Sequence, residues 1–311
     1  MSDIKIENPK IKEIIAALAP ALHGKDEVLT RLLACIFAGG HVLLEDLPGL
    51  GKTTLALAVA RVLGLQFGRV QCTNDLLPTD VTGLNIFKAD KGAFEFHPGP
   101  VFNNLVLVDE INRATPKTQS ALLEAMGEGQ ATVDGKTYRL PQPFFVIATQ
   151  NPVEHAGTFP LPESQMDRFM ARLSLGYPAR EAERDILRAG SQREELENLP
   201  ALLNAQEIVA AQAAIERDIT VSDKIIDYIL TVAEQTRAHP DVAVGISTRG
   251  AMVLLRAARA AAWMQGRDYV IPEDVKAFAD EVLLHRLILK QGSERAKKEL
   301  LTQLFAQTQA V

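Results

Sequence analysis

The sequence is poor in cysteine and contains no long apolar run. Its 311 residues include only two cysteines. Cys35 and Cys72 show neither the spacing of a zinc site nor that of a redox pair, so each is expected to be a small buried residue. No apolar stretch approaches the ~18 residues of a membrane span, and the N-terminus lacks the apolar segment of a signal peptide. We therefore predict no membrane span and a cytoplasmic location.

No charge of one sign dominates the composition. Lys and Arg number 33 against 39 Asp and Glu, which gives a net charge of −6. A sequence-independent attraction to nucleic acid is therefore not expected, although a local basic pore is compatible with that total. Hydrophobic residues make up 47% and charged residues 23% of the chain. This is the balance of a globular protein, and the length allows two domains.

A glycine loop lies between a predicted strand and a predicted helix. The apolar run 41–44 predicts a buried strand, and apolar residues from Leu55 onward fall on one face of a helix. Glycines in such a loop let backbone N–H groups face phosphates, and the helix N-terminus adds a partial positive charge. Lys52 would reach the outer phosphates and the Thr53 hydroxyl would hold Mg²⁺. The predicted phosphate-binding residues are Pro48, Gly49, Leu50, Gly51, Lys52, Thr53 and Thr54.

This loop departs from the usual phosphate-loop pattern at Asp46, where the pattern has glycine. Asp46 is expected to adopt an αR or β-like conformation, or the αL conformation that Asp tolerates. Taken alone, Gly-Lys-Thr after a strand could also be an ordinary helix N-terminus. Upstream, a turn at 22–25 joins predicted helices at 10–22 and 26–38. Backbone at this turn, including Gly24, could contact an adenine base, or the turn could simply join two helices.

Two acids follow the next strongly apolar run. Residues 105–108 predict a buried parallel strand, and its C-terminal edge carries Asp109 and Glu110. Asp109 would belong to the Mg²⁺ shell, and Glu110 would orient and polarise the attacking water. Two acids at a strand end could also be merely solvated. The phosphate loop earlier in the chain favours the catalytic interpretation.

Other stretches complete the predicted fold. Strands are predicted at 66–72, 143–149 and 173–175, and hairpins at 83–98 and 130–140. Asn151 follows one strand and could contact a terminal phosphate or the water, although Asn before Pro is more often a turn residue. A short helix is predicted at 161–169, and Thr115 is predicted to cap a helix that begins at Pro116. After about residue 179 only helices are predicted, at 179–189, 205–217, 222–237, 248–265, 272–289 and 292–307.

Several of these motifs together resemble the MoxR family of AAA+ ATPases, in the branch that carries an insert in the second helix of the core. The motifs are Pro48-Gly49-Leu50-Gly51-Lys52-Thr53-Thr54, Val108-Asp109-Glu110-Ile111-Asn112-Arg113-Ala114, Ala148-Thr149-Gln150-Asn151-Pro152 and Leu161-Pro162-Glu163-Ser164-Gln165-Met166-Asp167-Arg168-Phe169. The resemblance covers nearly the whole chain. The second and fourth motifs together are quite specific to this family, whereas the phosphate loop alone is not.

The resemblance implies an α/β fold. A five-stranded parallel αβα core with strand order 5-1-4-3-2 would occupy residues 1–177, and an all-helical lid residues 178–311. It also implies ATP hydrolysis with Mg²⁺ by a ring of identical subunits, a hexamer, with each site between two subunits. Lys52, Thr53, Asp109, Glu110 and Asn151 would serve in the nucleotide's own subunit. Arg168 resembles the arginine finger that reaches a neighbour's γ-phosphate, and Arg249 the lid arginine that senses the nucleotide.

Both arginines have simpler interpretations. Arg168 could form a surface ion pair with Asp167 or Glu163, of small energetic value. Arg249 could be an ordinary helix-surface arginine. The family form around it is Ser-Pro-Arg-Ala, whereas this chain has Thr248 and Gly250, which puts the local helix start in question.

Three functions remain open. The resemblance implies a chaperone-like ATPase that acts on a protein client together with a von Willebrand factor A domain protein, with the two hairpins facing a pore or a partner. A nucleic-acid-stimulated ring motor is the alternative, since the hairpin at 130–140 carries Lys136 and Arg139, with Asp134 beside them. A nucleotide-gated scaffold without hydrolysis is disfavoured, because every expected catalytic residue type is present.

Overall fold

The computed structural model of the protein describes residues 4–152, 157–190, 196 and 198–308. Its strands, in chain order, are β1 (His41–Glu45), β2 (Phe67–Gln71), β3 (Gly83–Lys88), β4 (Ala93–Pro98), β5 (Leu105–Asp109), β6 (Gln130–Val133), β7 (Lys136–Arg139), β8 (Phe145–Gln150), β9 (Phe169–Leu173), β10 (Val242–Val244) and β11 (Ile288–Leu289).

The centre of the fold is a five-stranded sheet in the order β2-β5-β8-β1-β9, with all neighbours parallel. Counted in chain order without the hairpin strands, this is the predicted order 5-1-4-3-2, which is confirmed. All five residues of β5 are buried, as expected for a strand covered on both faces. The predicted strand at 173–175 is wrong by several residues, because β9 ends at Leu173. Residues 174–176 instead donate hydrogen bonds to the Asp46 carboxylate.

Helices cover both faces of the sheet. They are α1 (Pro9–Leu18), α2 (Asp26–Phe37), α3 (Lys52–Val62), α4 (Pro78–Thr82), α5 (Pro116–Glu128) and α6 (Glu163–Met166). Proline at the first helical position starts α1, α4 and α5. Thr115 occupies the N-cap position of α5 as predicted, but its hydroxyl lies 3.2 Å from the Thr118 hydroxyl and makes no capping bond. Gly129 closes α5 with φ +61°.

The C-terminal part is mostly helical. It contains α7 (Arg180–Ala189), α8 (Ala205–Asp218), α9 (Asp223–Ala238), α10 (Thr248–Met264), α11 (Pro272–Ala277), α12 (Ala279–Leu283) and α13 (Glu294–Gln307). The prediction of one helix over 272–289 is wrong, because Phe278, whose ring is buried, leaves helical geometry with ψ near 3°. A 3-10 turn at Leu284–Arg286 follows, and β11 then pairs antiparallel with β10. These two short strands were not predicted.

One apolar cluster extends from the helices beside the phosphate loop into the C-terminal helices. Phe37 of α2 and Trp263 of α10 bring their ring centroids within 4.9 Å. A buried arginine, Arg31 of α2, reaches the Ala277 carbonyl and the Glu281 carboxylate. The lid therefore packs on the core through both apolar and ionic contacts.

Both predicted hairpins are confirmed, at β3–β4 and β6–β7. Phe96 stacks on Tyr138 with ring centroids 4.0 Å apart, which joins the two hairpins. Phe87 and Phe94 are exposed at the far end of the first hairpin. Among the described residues, no helix is both long and apolar enough to cross a membrane.

Candidate nucleotide site

The phosphate loop connects β1 to α3. Gly49 and Gly51 have φ of +82° and +87°, a region that glycine adopts readily and other residues rarely do. A Cβ built on either glycine meets no atom within 4 Å, so the loop backbone borders open space. That space is part of a cavity of about 330 Å³, lined by Pro48, Gly49, Gly51, Lys52, Thr53, Thr54, Arg69, Gln71, Asp109, Glu110, Thr149 and Asn151.

This cavity brings together the five residues that were predicted to serve one nucleotide within a single subunit. They come from three parts of the core: the phosphate loop and α3, the end of β5, and the segment after β8. Lys52 Nζ donates to the carbonyls of Asp46 at 2.8 Å and Leu47 at 2.9 Å. Burial lowers the pKa of Lys52, while nearby carboxylates, chiefly Asp46, oppose that shift. The ammonium thus lies beside the loop that would receive phosphates.

The first acid, Asp109, is held by a cation that the sequence did not single out. Arg69 of β2 places Nε 2.9 Å and Nη2 2.8 Å from Asp109 Oδ2. The Thr149 hydroxyl donates to the other carboxylate oxygen at 3.3 Å. Arg69 could have been found from the sheet order, because β2 pairs in parallel with β5 and sets Gln71 beside Asp109. The guanidinium therefore occupies one oxygen of the acid that was predicted to face Mg²⁺.

The second acid, Glu110, has an unusual backbone. Its φ of 55° and ψ of 52° lie in the left-handed region, which costs a non-glycine residue about 1–3 kcal/mol. Its N–H donates to the Thr149 hydroxyl at 2.9 Å. Its carboxylate accepts from Gln71 Nε2 at 3.3 Å and lies 3.2 Å from Arg113 Nε. Glu110 is therefore held by three neighbours at the edge of the cavity.

The residues present fit a magnesium ion that is shared with a nucleotide. Mg²⁺ prefers oxygen ligands and keeps several waters and substrate phosphates in its shell. The Thr53 hydroxyl and the Asp109 carboxylate line the same cavity and supply such oxygens. Among the described residues no group of three or more His, Cys, Asp or Glu forms a complete metal cage.

Asp46 does not adopt the left-handed conformation that the sequence left open, since its φ is not positive. Its buried carboxylate accepts from the Ser174 hydroxyl at 2.7 Å and from the N–H groups of Leu175 at 2.6 Å and Gly176 at 3.1 Å. Lys25 Nζ donates to the carbonyls of Leu175 and Gly176, each at 2.7 Å. Asp46 and Lys25 thus hold the segment that leads from β9 to the lid.

A second, more apolar cavity of about 450 Å³ adjoins the phosphate loop. Its lining includes the loop residues Pro48, Gly49, Leu50, Gly51 and Thr54, together with Leu22, His23, Lys25, Leu175, Tyr177, Pro178, Ile186 and Leu187. Gly24 is not part of this lining, but the residues on either side of it are. Its φ of +67° shapes the turn. The turn that contains Gly24 lies beside the phosphate loop, as a contact with an adenine base would require. That contact stays a prediction.

Arg168 and Arg249 line neither cavity. Arg168 Nη1 donates to the Leu123 carbonyl of α5 at 2.9 Å and lies over Gly127, where a Cβ would come within 1.9 Å of it. Arg249 Nε lies 3.4 Å from Asp167 Oδ2. The helix start that the sequence put in question is regular, because Ser247 caps α10 by accepting from the Gly250 N–H at 3.1 Å.

The fold and the site together define a phosphate-loop ATPase of the AAA type with a helical lid. A profile of the ATPase family associated with various cellular activities (AAA) matches residues 41–171, and a profile of the AAA lid domain matches residues 234–304.

Comparison with individual proteins identifies the family of this chain. An uncharacterized protein, YeaC of Bacillus subtilis, is 45% identical over 91% of this chain and 88% of its own length. Chaperone MoxR1 of Mycobacterium tuberculosis is 42% identical over 86% of this chain and 72% of its own. The crystal structure of a candidate ATPase from Cytophaga hutchinsonii superposes with a TM-score of 0.88 at 39% identity, covering 96% of this chain and 94% of that one. The chain belongs to the MoxR family of AAA+ ATPases.

Proposed function

We propose that this protein hydrolyses ATP, with Mg²⁺, in a hexameric ring of its own copies, and that the cycle drives remodelling, maturation or assembly of a protein client. One observation carries the proposal. Lys52, Thr53, Asp109, Glu110 and Asn151 line a single cavity, while Arg168 lies outside it. A site that needs an arginine finger is then completed by a neighbouring copy.

Within one protomer each residue has a definite task. Backbone N–H groups of the phosphate loop and the Lys52 ammonium would bind the phosphates. Thr53 and Asp109 would hold Mg²⁺, which supplies charge neutralisation on the phosphate oxygens. Glu110 would orient the attacking water and accept its proton, and the Asn151 amide would contact the terminal phosphate. For this, Arg69 has to leave Asp109, and Glu110 has to exchange a present partner for the water.

The two remaining arginines act from the other side of the interface. Arg168 and Arg249 are brought close together by Asp167, which precedes the first and pairs with the second. We propose that Arg168 stabilises charge on the γ-phosphate in the adjoining protomer, an effect worth about 10³–10⁵ in rate in other enzymes. Because Arg249 lies beside it and away from its own cavity, we assign its nucleotide contact to the same neighbouring site.

The client and the partner follow from the family. A relative carries the name chaperone, and we extend that role to this chain. We further propose a von Willebrand factor A domain protein as partner, as the family resemblance implies. The exposed rings of Phe87 and Phe94 give the first hairpin an apolar surface suited to a polypeptide. The domain division at residue 177 and a cytoplasmic location stay proposals of the same kind.

The test is the variant Glu110→Gln. The amide keeps the size of the side chain but cannot accept the proton of the water, so we expect ATP to bind with unchanged affinity and turnover to fall by a factor of 10³ or more, on the order expected for loss of this role. Nucleotide binding is measured with a fluorescent ATP analogue and turnover by phosphate release. Unchanged hydrolysis would remove Glu110 from its role. The ATP-loaded variant can then be used to capture the client.

A nucleic-acid-stimulated motor is the less supported alternative. Lys136 lies 4.9 Å from the Tyr138 ring centroid, and Asp134 accepts from Asn85 between the two hairpins. The hairpin thus carries an acid as well as its basic residues, and the net charge is −6. Stimulation of ATP hydrolysis by single-stranded DNA, with a steep decrease as salt rises, would favour the motor.

A further inference from the structure

A buried arginine of the lid, Arg286, holds the backbone on both sides of Arg168. It belongs to the 3-10 turn at Leu284–Arg286, and only 3% of its side chain is exposed. Its Nη2 donates to the carbonyls of Asp167 at 3.1 Å and Phe169 at 2.6 Å. Its Nη1 donates to the Met170 carbonyl at 3.2 Å. One guanidinium thus contacts the residue before Arg168 and the two residues after it.

The same guanidinium also shares a carboxylate with Arg249. Arg286 Nε donates to Asp167 Oδ1 at 2.7 Å, and Arg249 Nε lies 3.4 Å from Asp167 Oδ2. The carboxylate is therefore shared between a buried and an exposed arginine. Planar guanidinium groups present several donors in fixed directions, and a lysine cannot reproduce that geometry. Asp167 is consequently held by the lid through Arg286 and also contacts Arg249.

Gly250 makes room for this arrangement. A Cβ at Gly250 would lie 3.0 Å from Arg286 Cδ and 3.2 Å from Ile246 Cγ2, which is tighter than ordinary contact. The departure from the family form at this position therefore has a physical reason. Nothing in the structure explains the second departure, Thr248.

We propose that Arg286 is the positioning residue through which the lid of one protomer sets the two arginines that it presents to the next protomer's nucleotide. This rests on the proposed function, since it assumes that Arg168 acts across the interface. A change in lid position moves the carbonyls and the carboxylate that Arg286 binds, and with them the segment that carries Arg168. A displacement of about 1 Å of such a group can cost 10²-fold in rate.

The experiment uses the full chain and compares Arg286→Ala with Arg168→Ala. We expect Arg286→Ala to lower turnover by about 10²-fold. The affinity of its own cavity for a fluorescent ADP analogue should stay within about twofold, because Arg286 contacts no residue of that cavity. The matched control is Arg31→Ala. Arg31 is equally buried and also joins core to lid, through the Ala277 carbonyl and Glu281, but it contacts none of residues 167–170. It should lower the melting temperature while turnover persists.

Mixed rings separate positioning from damage to the protomer itself. Each variant is mixed with Glu110→Gln, whose own site is inactive but whose Arg168 is intact. If Arg286 positions the finger for a neighbour, an Arg286→Ala protomer regains turnover next to a Glu110→Gln protomer. Arg168→Ala should be rescued in the same way. If Arg286→Ala alone does not fold, Arg286→Lys, which keeps a positive charge opposite Asp167, is tested in its place.

The outcomes discriminate between the two proposals. Two outcomes would overturn the positioning role and leave the proposed function standing. One is full turnover of a folded Arg286 variant. The other is a loss of turnover that mixing does not rescue, while that of Arg168→Ala is rescued. Full turnover of Arg168→Ala would instead overturn the arginine finger itself. Loss in both variants, each rescued by mixing, supports the inference.

Discussion

Arg69 contacts one carboxylate oxygen of Asp109, the residue that we propose as a Mg²⁺ ligand, so removing this arginine should tighten magnesium binding. The pair has two contacts, at 2.9 and 2.8 Å, and must open before a metal can use Oδ2. In Arg69→Ala this competition is absent. We therefore expect a lower Mg²⁺ concentration at half-saturation, while nucleotide binding without metal changes much less.

The size of the effect follows from the burial of the two partners. An exposed ion pair contributes about 0–1 kcal/mol, whereas breaking a buried one costs about 3–5 kcal/mol. The Arg69 side chain is 50% exposed and that of Asp109 is 9% exposed, so the pair lies between these cases. A net value of about 1.4 kcal/mol corresponds to about a tenfold change in affinity. Half-saturation by Mg²⁺ should accordingly shift about tenfold downward.

The assay is a Mg²⁺ titration of a fluorescent ADP analogue bound to the protein. Removing any positive charge near the site favours the binding of a cation, so Arg113→Ala is the control. It removes a positive charge beside Glu110 and leaves the partner of Asp109 in place. Arg69→Lys, which keeps the charge but not the two-point contact, should lie between the wild type and Arg69→Ala. An unchanged or higher half-saturation in Arg69→Ala would refute the competition, and an equal shift in Arg113→Ala would reduce it to general charge.

Two further predictions concern stability. Asp46→Ala should lower the free energy of unfolding by about 1–3 kcal/mol, because the N–H groups of Leu175 and Gly176 lose their acceptor. Asp46→Asn keeps one acceptor oxygen and should lose less stability. Denaturant titrations that show no difference between the two variants would contradict this. Burial lowers the pKa of His41 from its usual 6.5 to about 4. The stability that depends on a neutral His41 is therefore complete above pH 6.5 and is lost as the pH falls towards 4, by about 3 kcal/mol in all. Unfolding titrations at pH 7 and pH 5 should show this loss, and His41→Gln should reduce it.

The sequence, with the family resemblance, was sufficient for the order of the sheet and for naming five residues that line one cavity. Apolar runs such as 105–108 are followed by the side chains to which we assign the chemistry, and the C-terminal ends of parallel strands lie together at one edge. The same periodicity could not reveal the break at Phe278, because a helix and an interrupted helix bury nearly the same residues. It also could not place the end of β9, which depends on the distant carboxylate of Asp46.

The partners of the acids were missed, although the sheet order that the family resemblance implies already sets β2 beside β5. Arg69 and Gln71 contact Asp109 and Glu110 only because β2 pairs with β5, and pairing between strands is a tertiary contact. Arg286 is more remote still, since nearly 120 positions separate it from Asp167. Its own stretch of sequence predicts only a helix with charged residues. Contacts of this kind become visible once the lid is packed on the core.

Two of the three departures from the expected motifs, Asp46 and Gly250, lie at contacts that involve the lid or the segment leading to it. Asp46 stands in place of a loop glycine and binds the N–H groups of Leu175 and Gly176 at the entrance to the lid. Gly250 stands in place of alanine and gives space to Arg286. The first contact joins the start of the phosphate loop to the segment that leads to the lid, and the second lies beside the arginines that we propose to act on the next protomer's nucleotide. A residue that breaks a local rule is expected where function imposes a different demand. Both contacts bear on the position of the lid, which is where the proposed function couples the occupancy of one nucleotide site to the completion of the next.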